Sequence, residues 1–343
     1  MNKNRFETLC RNLPKVGPIL VLGDIGIDKY TIGEVNRISP EAPVPVVQVK
    51  EEKLKLGLAA NISNNLAALG IPSTLCGVTG NDNNANILES ILEEQNLKTW
   101  GLLRCSDRPT TFKERVTAAN QQICRVDYES DSPIKKETED KLLKRVLEFK
   151  ADHSALILQD YGKGVLTEKI IQDSMREFKS LGKMVAIDTT TSTPPLWYKG
   201  ATLLKPNLKE AKAMVLSLGF RENDIQKMAE ILMDKLSLSM LVITLGPGGM
   251  AMMDSAGKFK KIPTVASAVF DVSGAGDTAI SLLVATMLAG GNLEEAAYFG
   301  NCGSGVVVGK VGTATVTLNE LIEFHQKQKP DETSNSNSVS PIL

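Results

Sequence analysis

Five short runs, Ile19-Leu20-Val21-Leu22, Ala155-Leu156-Ile157-Leu158, Met184-Val185-Ala186-Ile187, Ala201-Thr202-Leu203-Leu204 and Leu241-Val242-Ile243-Thr244, constrain the fold more than any other feature. Each is apolar at successive positions, so a strand built from it buries both faces, as happens in a parallel sheet covered by helices. Between them, residues 137–149, 166–181, 208–218 and 225–236 carry apolar side chains at helical spacing with charges on the opposite face. Such alternation predicts an α/β fold, with helices on both sides of a mainly parallel central sheet. The runs end in polar or glycine-bearing turns: Gly23-Asp24, Gln159-Asp160-Tyr161, Asp188-Thr189, Lys205-Pro206-Asn207 and Gly246-Pro247-Gly248-Gly249. Ligands of open α/β sheets bind at those carboxyl ends, so the turns should line one cleft.

Two stretches, about 29–50 and 110–127, break the pattern with β-formers in alternation and read as a small β lid. Pro40, Pro43 and Pro45 confine part of the first to an edge or an extended connection. Val44, Val46, Val47 and Val49 would then face water, which predicts a homodimer paired through the lid. The remainder reads as one domain over 1–328, followed by a polar, aperiodic and disordered tail over 329–343.

Composition narrows the partners. Lys and Arg number 39 against 40 Asp and Glu, with no long basic run, which argues against nucleic acid. No stretch approaches the ~20 apolar residues of a membrane span. The five cysteines are scattered without a C-x-x-C pair and read as buried, reduced thiols of a cytoplasmic chain. His153 and His325 stand alone, so neither a zinc site nor a histidine-based triad is expected.

The sharpest chemical signal is Asp271-Val272-Ser273-Gly274-Ala275-Gly276-Asp277, which opens an apolar helix. Gly274, Ala275 and Gly276 let backbone N–H groups at a helix start face an anion such as a phosphoryl group in transfer. Asp277 in that first turn is placed to take a proton from an attacking hydroxyl, although a capping carboxylate also suits the position. Thr244, Gly246 and Gly249 follow a strand and suit nucleotide phosphates or ribose, or a plain tight turn. Asn207 and Glu210 could bind phosphate and, through water, Mg²⁺, or simply cap a helix. Asp24, Asp28, Gly57 and Asn61 suit sugar hydroxyls or ordinary turn and cap roles. Lys113, Arg115 and Arg125 could grip a remote substrate phosphate, or be solvated surface charges.

In sum, Gly23-Asp24, Gly57-Leu58-Ala59-Ala60-Asn61, Asp160-Tyr161-Gly162-Lys163-Gly164, Pro206-Asn207-Leu208-Lys209-Glu210, Thr244-Leu245-Gly246-Pro247-Gly248-Gly249 and Gly274-Ala275-Gly276-Asp277 resemble the ribokinase-like sugar kinases over roughly residues 18–320. Three further stretches, from Arg37 to Val46, Asn120 to Arg125 and Gly305 to Thr313, are similar to the heptose 7-phosphate kinases of that family. The resemblance implies a ribokinase-like three-layer fold and transfer of the ATP γ-phosphoryl to a sugar 1-hydroxyl. It further implies Mg²⁺ with the nucleotide, Asp160 among the sugar contacts, and a monovalent cation such as K⁺ near Asp271 and Ser273. It implies a kinase half without the nucleotidyltransferase domain that follows in many such proteins. The chain departs from the family at Leu58, where Gly-Gly-Ala-Ala-Asn is usual, at Asp188-Thr189-Thr190-Thr191, where Asp-Pro-Lys-Gly is usual, and at Lys29, where arginine is usual. Another sugar or sugar phosphate of fructose or ribose type is the alternative substrate. A catalytically silent nucleotide-binding protein is the alternative of a different class.

Overall fold

The computed structural model describes residues 1–118, 121–265, 270–310 and 312–328. Its strands are β1 (Ile19–Gly23), β2 (Ile25–Ile38), β3 (Pro45–Leu58), β4 (Ser73–Gly80), β5 (Lys98–Cys105), β6 (Thr111–Ala118), β7 (Gln121–Tyr128), β8 (Ala155–Gln159), β9 (Met184–Asp188), β10 (Leu203–Lys205), β11 (Met240–Thr244), β12 (Met250–Asp254) and β13 (Phe259–Ile262). Its helices are α1 (Lys3–Asn12), α2 (Ala59–Ala68), α3 (Asn83–Glu94), α4 (Lys136–Phe149), α5 (Glu168–Ser180), α6 (Leu208–Ser217), α7 (Ile225–Leu236), α8 (Ala275–Leu288), α9 (Leu293–Val307) and α10 (Leu318–Gln328).

The large sheet runs β13-β12-β11-β10-β9-β8-β1-β4-β5, parallel from β11 through β5, with β12 and β13 added antiparallel at one edge. All five residues of β1 and of β8 are buried, as continuous apolar runs require. Strand alternation deals their side chains to two cores. Ile19, Val21, Ala155 and Ile157 join α1, α2, α3, α8 and α9 on one face, whereas Leu20, Leu22, Leu156 and Leu158 join α4, α5, α6 and α7 on the other. This is the three-layer α/β/α arrangement, and each fully buried Leu or Ile contributes roughly 1.5–3 kcal/mol to it.

Five predicted strands are present, although the run 201–204 yields only Leu203–Lys205. β4, β5, β12 and β13 are additional. The lid is a second sheet of order β3-β2-β6-β7, in which β2 pairs antiparallel with β3 and parallel with β6. Its strands extend beyond the predicted stretches, to Ile25 and Leu58, so the sheet is rooted directly on β1 and α2. The roots are buried and the tips exposed, and β3 is an edge strand, as the prolines require. Cys10, Cys76 and Cys302 are buried, and burial pushes their thiols up to about 12. Cys124, contrary to the buried reading, is exposed on β7, because an edge strand at the lid tip has nothing to pack against. Among the described residues no helix is long and apolar enough to cross a membrane. The tail over 329–343 and Asn120 lie outside the described residues.

Candidate active site

Gly274 ends the approach to α8 in the left-handed region (φ 79°), a conformation that costs a glycine little. The helix then starts at Ala275, and the N–H groups of its first turn have no partner within the helix. Asp277 sits in this turn, almost wholly buried. Asn61 Nδ2 donates to its Oδ2 at 2.7 Å, while Tyr161 OH and Gln159 Nε2 donate to Oδ1 at 2.8 and 3.3 Å. Burial pushes the carboxyl up, the Asn61 and Tyr161 donors pull it down, and Asp188 raises it again, to about 7. A carboxylate so balanced can both exist ionised and hold a proton near neutral pH.

Beneath that turn lies a second buried cluster. Lys205 Nζ pairs with Asp188 Oδ1 at 2.8 Å, and Gln159 Nε2 also donates to Asp188 Oδ2 at 3.2 Å. A polar cleft of about 600 Å³ opens over both clusters, lined among others by Asp277, Gly276, Lys205, Asn207, Glu210 and Thr244. It adjoins a cavity of about 270 Å³ bounded by Pro247, Met250, Val272, Ala275, Asn301 and Val308. Thr244, Gly246, Val272 and Gly276 border both spaces. An apolar chamber continuous with a polar one suits a ligand with a flat ring at one end and charge at the other.

Asn207 and Glu210 form a reciprocal capping box on α6. Glu210 also accepts from Thr189 Oγ1 at 3.0 Å, and burial together with Asp188 raises its carboxyl. The box therefore holds the α6 start at the cleft edge. Gly246 and Gly249 both have positive φ (58° and 83°), and a Cβ on Gly249 would strike the Ile262 carbonyl at 2.0 Å. The turn after β11 thus needs its glycines for backbone reasons as well.

The sugar-side residues divide. Asn61 lies inside the first turn of α2, not ahead of the helix, and this aims it at Asp277. Asp28 pairs with Arg115 on the lid floor, where the guanidinium also lies over the Tyr30 ring. A Cβ on Gly57 would come within 2.9 Å of Asp28 Oδ2, so the backbone at 57 lies close against that carboxylate. Asp24 and Asp160, in contrast, are spent on holding the loop after β8. Asp24 accepts the N–H groups of Tyr161, Lys163 and Val165, and Asp160 accepts Gly162 N–H and the hydroxyls of Thr193 and Tyr198. Both carboxylates are almost wholly buried, and Asp160 also borders the cleft. Lys113 is paired with Asp127 and Glu129, and Arg125 with Asp127. Asp271 accepts Ser273 N–H (2.9 Å) and Gly312 N–H (3.0 Å), joining the anion-facing turn to the segment before α10. Despite burial, those two N–H groups hold its carboxyl below the usual range.

Leu58 has φ 56° and ψ −136°, a backbone state suited to glycine, at the position where the sequence departs from Gly-Gly. Keeping a leucine there costs about 1–3 kcal/mol of strain. Gln159, Tyr161, Asp188 and Lys205 were not singled out as site residues by sequence reasoning. Their position at the ends of β8, β9 and β10 was the available signal.

Comparison with known proteins agrees with this geometry. Residues 22–320 match the family described as pfkB family carbohydrate kinase. The bifunctional protein HldE of Wolinella succinogenes is 41% identical over 331 residues, covering 94% of this chain and 69% of the relative. HldE of Nitratiruptor sp. is 42% identical over 308 residues, covering 90% and 65%. The chain thus spans about two thirds of the length of these relatives. Among solved structures, Arabidopsis thaliana ribokinase complexed with ribose and ATP superposes with a TM-score of 0.69 at 17% identity, covering 90% of this chain and 98% of that one. Escherichia coli phosphofructokinase-2 in complex with potassium superposes with a TM-score of 0.72 at 19% identity, covering 91% and 99%. By fold and by sequence, the chain belongs to the pfkB family of carbohydrate kinases.

Proposed function

We propose that this carbohydrate kinase transfers the γ-phosphoryl of ATP to the anomeric 1-hydroxyl of D-glycero-β-D-manno-heptose 7-phosphate in the cytoplasm, giving the 1,7-bisphosphate used in ADP-heptose synthesis. The observation that carries the transfer is Asp277, buried in the first turn of α8, where the helix start directs its backbone N–H groups away from the helix body. Asp277 takes the hydroxyl proton as the new oxygen–phosphorus bond forms and the bond to the departing ADP oxygen breaks. Asn61 and Tyr161 fix the carboxylate, and the Gly274–Asp277 backbone faces the charge on the phosphoryl oxygens. The apolar cavity takes the adenine, and the Thr244–Gly249 turn lies along the nucleotide.

The donor set fits a metal carried on the nucleotide. No group of three His, Cys, Asp or Glu able to hold an ion exists among the described residues, so Mg²⁺ would be held largely by phosphates and water. Glu210 reaches the same cleft and fits a contact through water. Such an ion neutralises phosphate charge. Asp271 and Ser273 fit a monovalent cation only as part of the turn they already close.

The heptose assignment rests on the three stretches in the lid and before α10. Leu58 and Thr189-Thr190-Thr191 favour the second reading, a kinase for another sugar phosphate. A panel of heptose 7-phosphate, fructose 6-phosphate, fructose and ribose, with ADP formation as readout, separates them. Turnover fastest on the heptose supports the first reading, and a preference for any other sugar replaces it with the second.

A further inference from the structure

Lys205 is the buried cation of the polar cleft, with 2% of its surface exposed. A charged ammonium this deep must have its donors used. One N–H is taken by Asp188 Oδ1 at 2.8 Å. A Cβ placed on Gly276 would lie 3.6 Å from Nζ, so the ammonium stands directly beside the backbone that faces the transferred group. Gln159 ends β8, with β9 between it and the strand of Lys205, and its Nε2 bridges Asp188 and Asp277, tying the ion pair to the carboxylate in the first turn of α8. An ammonium with donors to spare, lining the polar cleft beside the Gly276 backbone, suits an acceptor such as a phosphoryl oxygen.

We propose that Lys205 is a catalytic residue of this kinase, binding an oxygen of the phosphoryl group in flight, and that Asp188 and Gln159 position it. The proposal rests on the carbohydrate-kinase reading. The phosphoryl group passes from the ADP oxygen to the sugar oxygen while the sugar proton goes to Asp277. Lys205 changes no bond. It supplies one fixed positive charge opposite the Gly276 N–H, where the equatorial oxygens carry the charge of the transition state. The bland account is that Lys205 exists only to neutralise buried Asp188. That account explains the pair and not its place against Gly276.

Titration calorimetry with ADP and with a non-hydrolysable ATP analogue separates the two accounts, because only the analogue carries the γ-phosphoryl. Lys205→Met should weaken the analogue by at least ~10-fold relative to ADP and lower kcat by the ~10²–10³ of a lost transition-state donor. Removing one member of a buried pair endangers folding, so the double variant Lys205→Met/Asp188→Asn, which removes both charges, carries the same test. If Lys205 merely balances Asp188, turnover returns in the double variant to within a few-fold of wild type, and the proposal is overturned. Equal weakening of ADP and analogue overturns it as well. Persistent loss of kcat with selective loss of the analogue supports it. Wild-type protein that binds neither nucleotide would overturn the kinase reading together with this assignment.

Discussion

At the scale of single residues, the site is a problem of buried charge held by fixed partners: Asp277 by Asn61 and Tyr161, Asp188 by Lys205. Asp277 is raised from an ordinary 3.8 to about 7, so kcat/KM on saturating nucleotide should climb through about pH 7 as the base ionises. A flat profile between pH 6 and 8 would contradict that role. The same shift has a stability consequence. Because the folded-state value lies above the unfolded one, the folded chain holds this proton more tightly, and the contribution is full below about 3.8 and lost as pH rises through about 7. Asp277→Asn, which never ionises, should therefore gain Tm over wild type as pH rises from 4 to 7 while losing ~10²–10⁴ in kcat. Thermal melts and initial rates on one preparation check both halves, and unimpaired turnover would remove Asp277 from the chemistry. Asp277, Asn207, Glu210 and the glycines of both turns were legible because glycine spacing at a strand-to-helix junction is a local signal. Tyr161, Gln159, Asp188 and Lys205 were legible only as members of cleft-lining turns, and their contacts with Asp277 and with one another were not, because these form only after three strands have aligned side by side. Local sequence likewise could not say that Asp24 and Asp160 would be consumed by backbone N–H groups and hydroxyls of a loop far along the chain.

Elements transmit these residue demands. The loop after β8 delivers Tyr161 to Asp277, and Asp24 on β1's exit holds that loop by three N–H bonds. Asp24→Ala leaves buried donors without acceptors, at about 1–3 kcal/mol. We expect a Tm lower by several degrees and a kcat loss larger than the KM change, since the loop carries the Tyr161 hydroxyl to Asp277, the proposed base. A KM-only effect would return Asp24 to the sugar site. On the lid floor, Arg115 is balanced between Asp28 and Tyr30. Arg115→Ala should raise KM for a phosphorylated sugar well above the effect on its unphosphorylated analogue, whereas equal effects would leave Arg115 a support for Asp28 alone. Central strands such as β1 and β8 were readable as unbroken apolar runs. β4 and β5 were hidden by glycine, threonine and charged positions, β12 by a methionine-rich run that suits helix as well as strand, and β13 by its four-residue length and two lysines.

For the whole molecule, a three-layer body supports a lid whose tips stand in water. Val44 and Val49 are about half exposed, and Ile38 more so. A second copy that covers these positions would form a homodimer through the lid, as we propose. Light scattering should give twice 37.1 kDa for wild type and one chain for the Val44→Lys/Val49→Lys variant. A wild-type mass of one chain at micromolar concentration would contradict the pairing. The central claim is that body and lid together deliver a sugar hydroxyl to a γ-phosphoryl under Asp277. It is tested most directly by following ³¹P NMR of ATP with D-glycero-β-D-manno-heptose 7-phosphate and the wild-type chain. A new resonance from phosphate on the anomeric oxygen, growing in step with ADP and absent with Asp277→Asn, is the predicted result. ADP formed without any sugar phosphate product, or the same product at the same rate from Asp277→Asn, would contradict it.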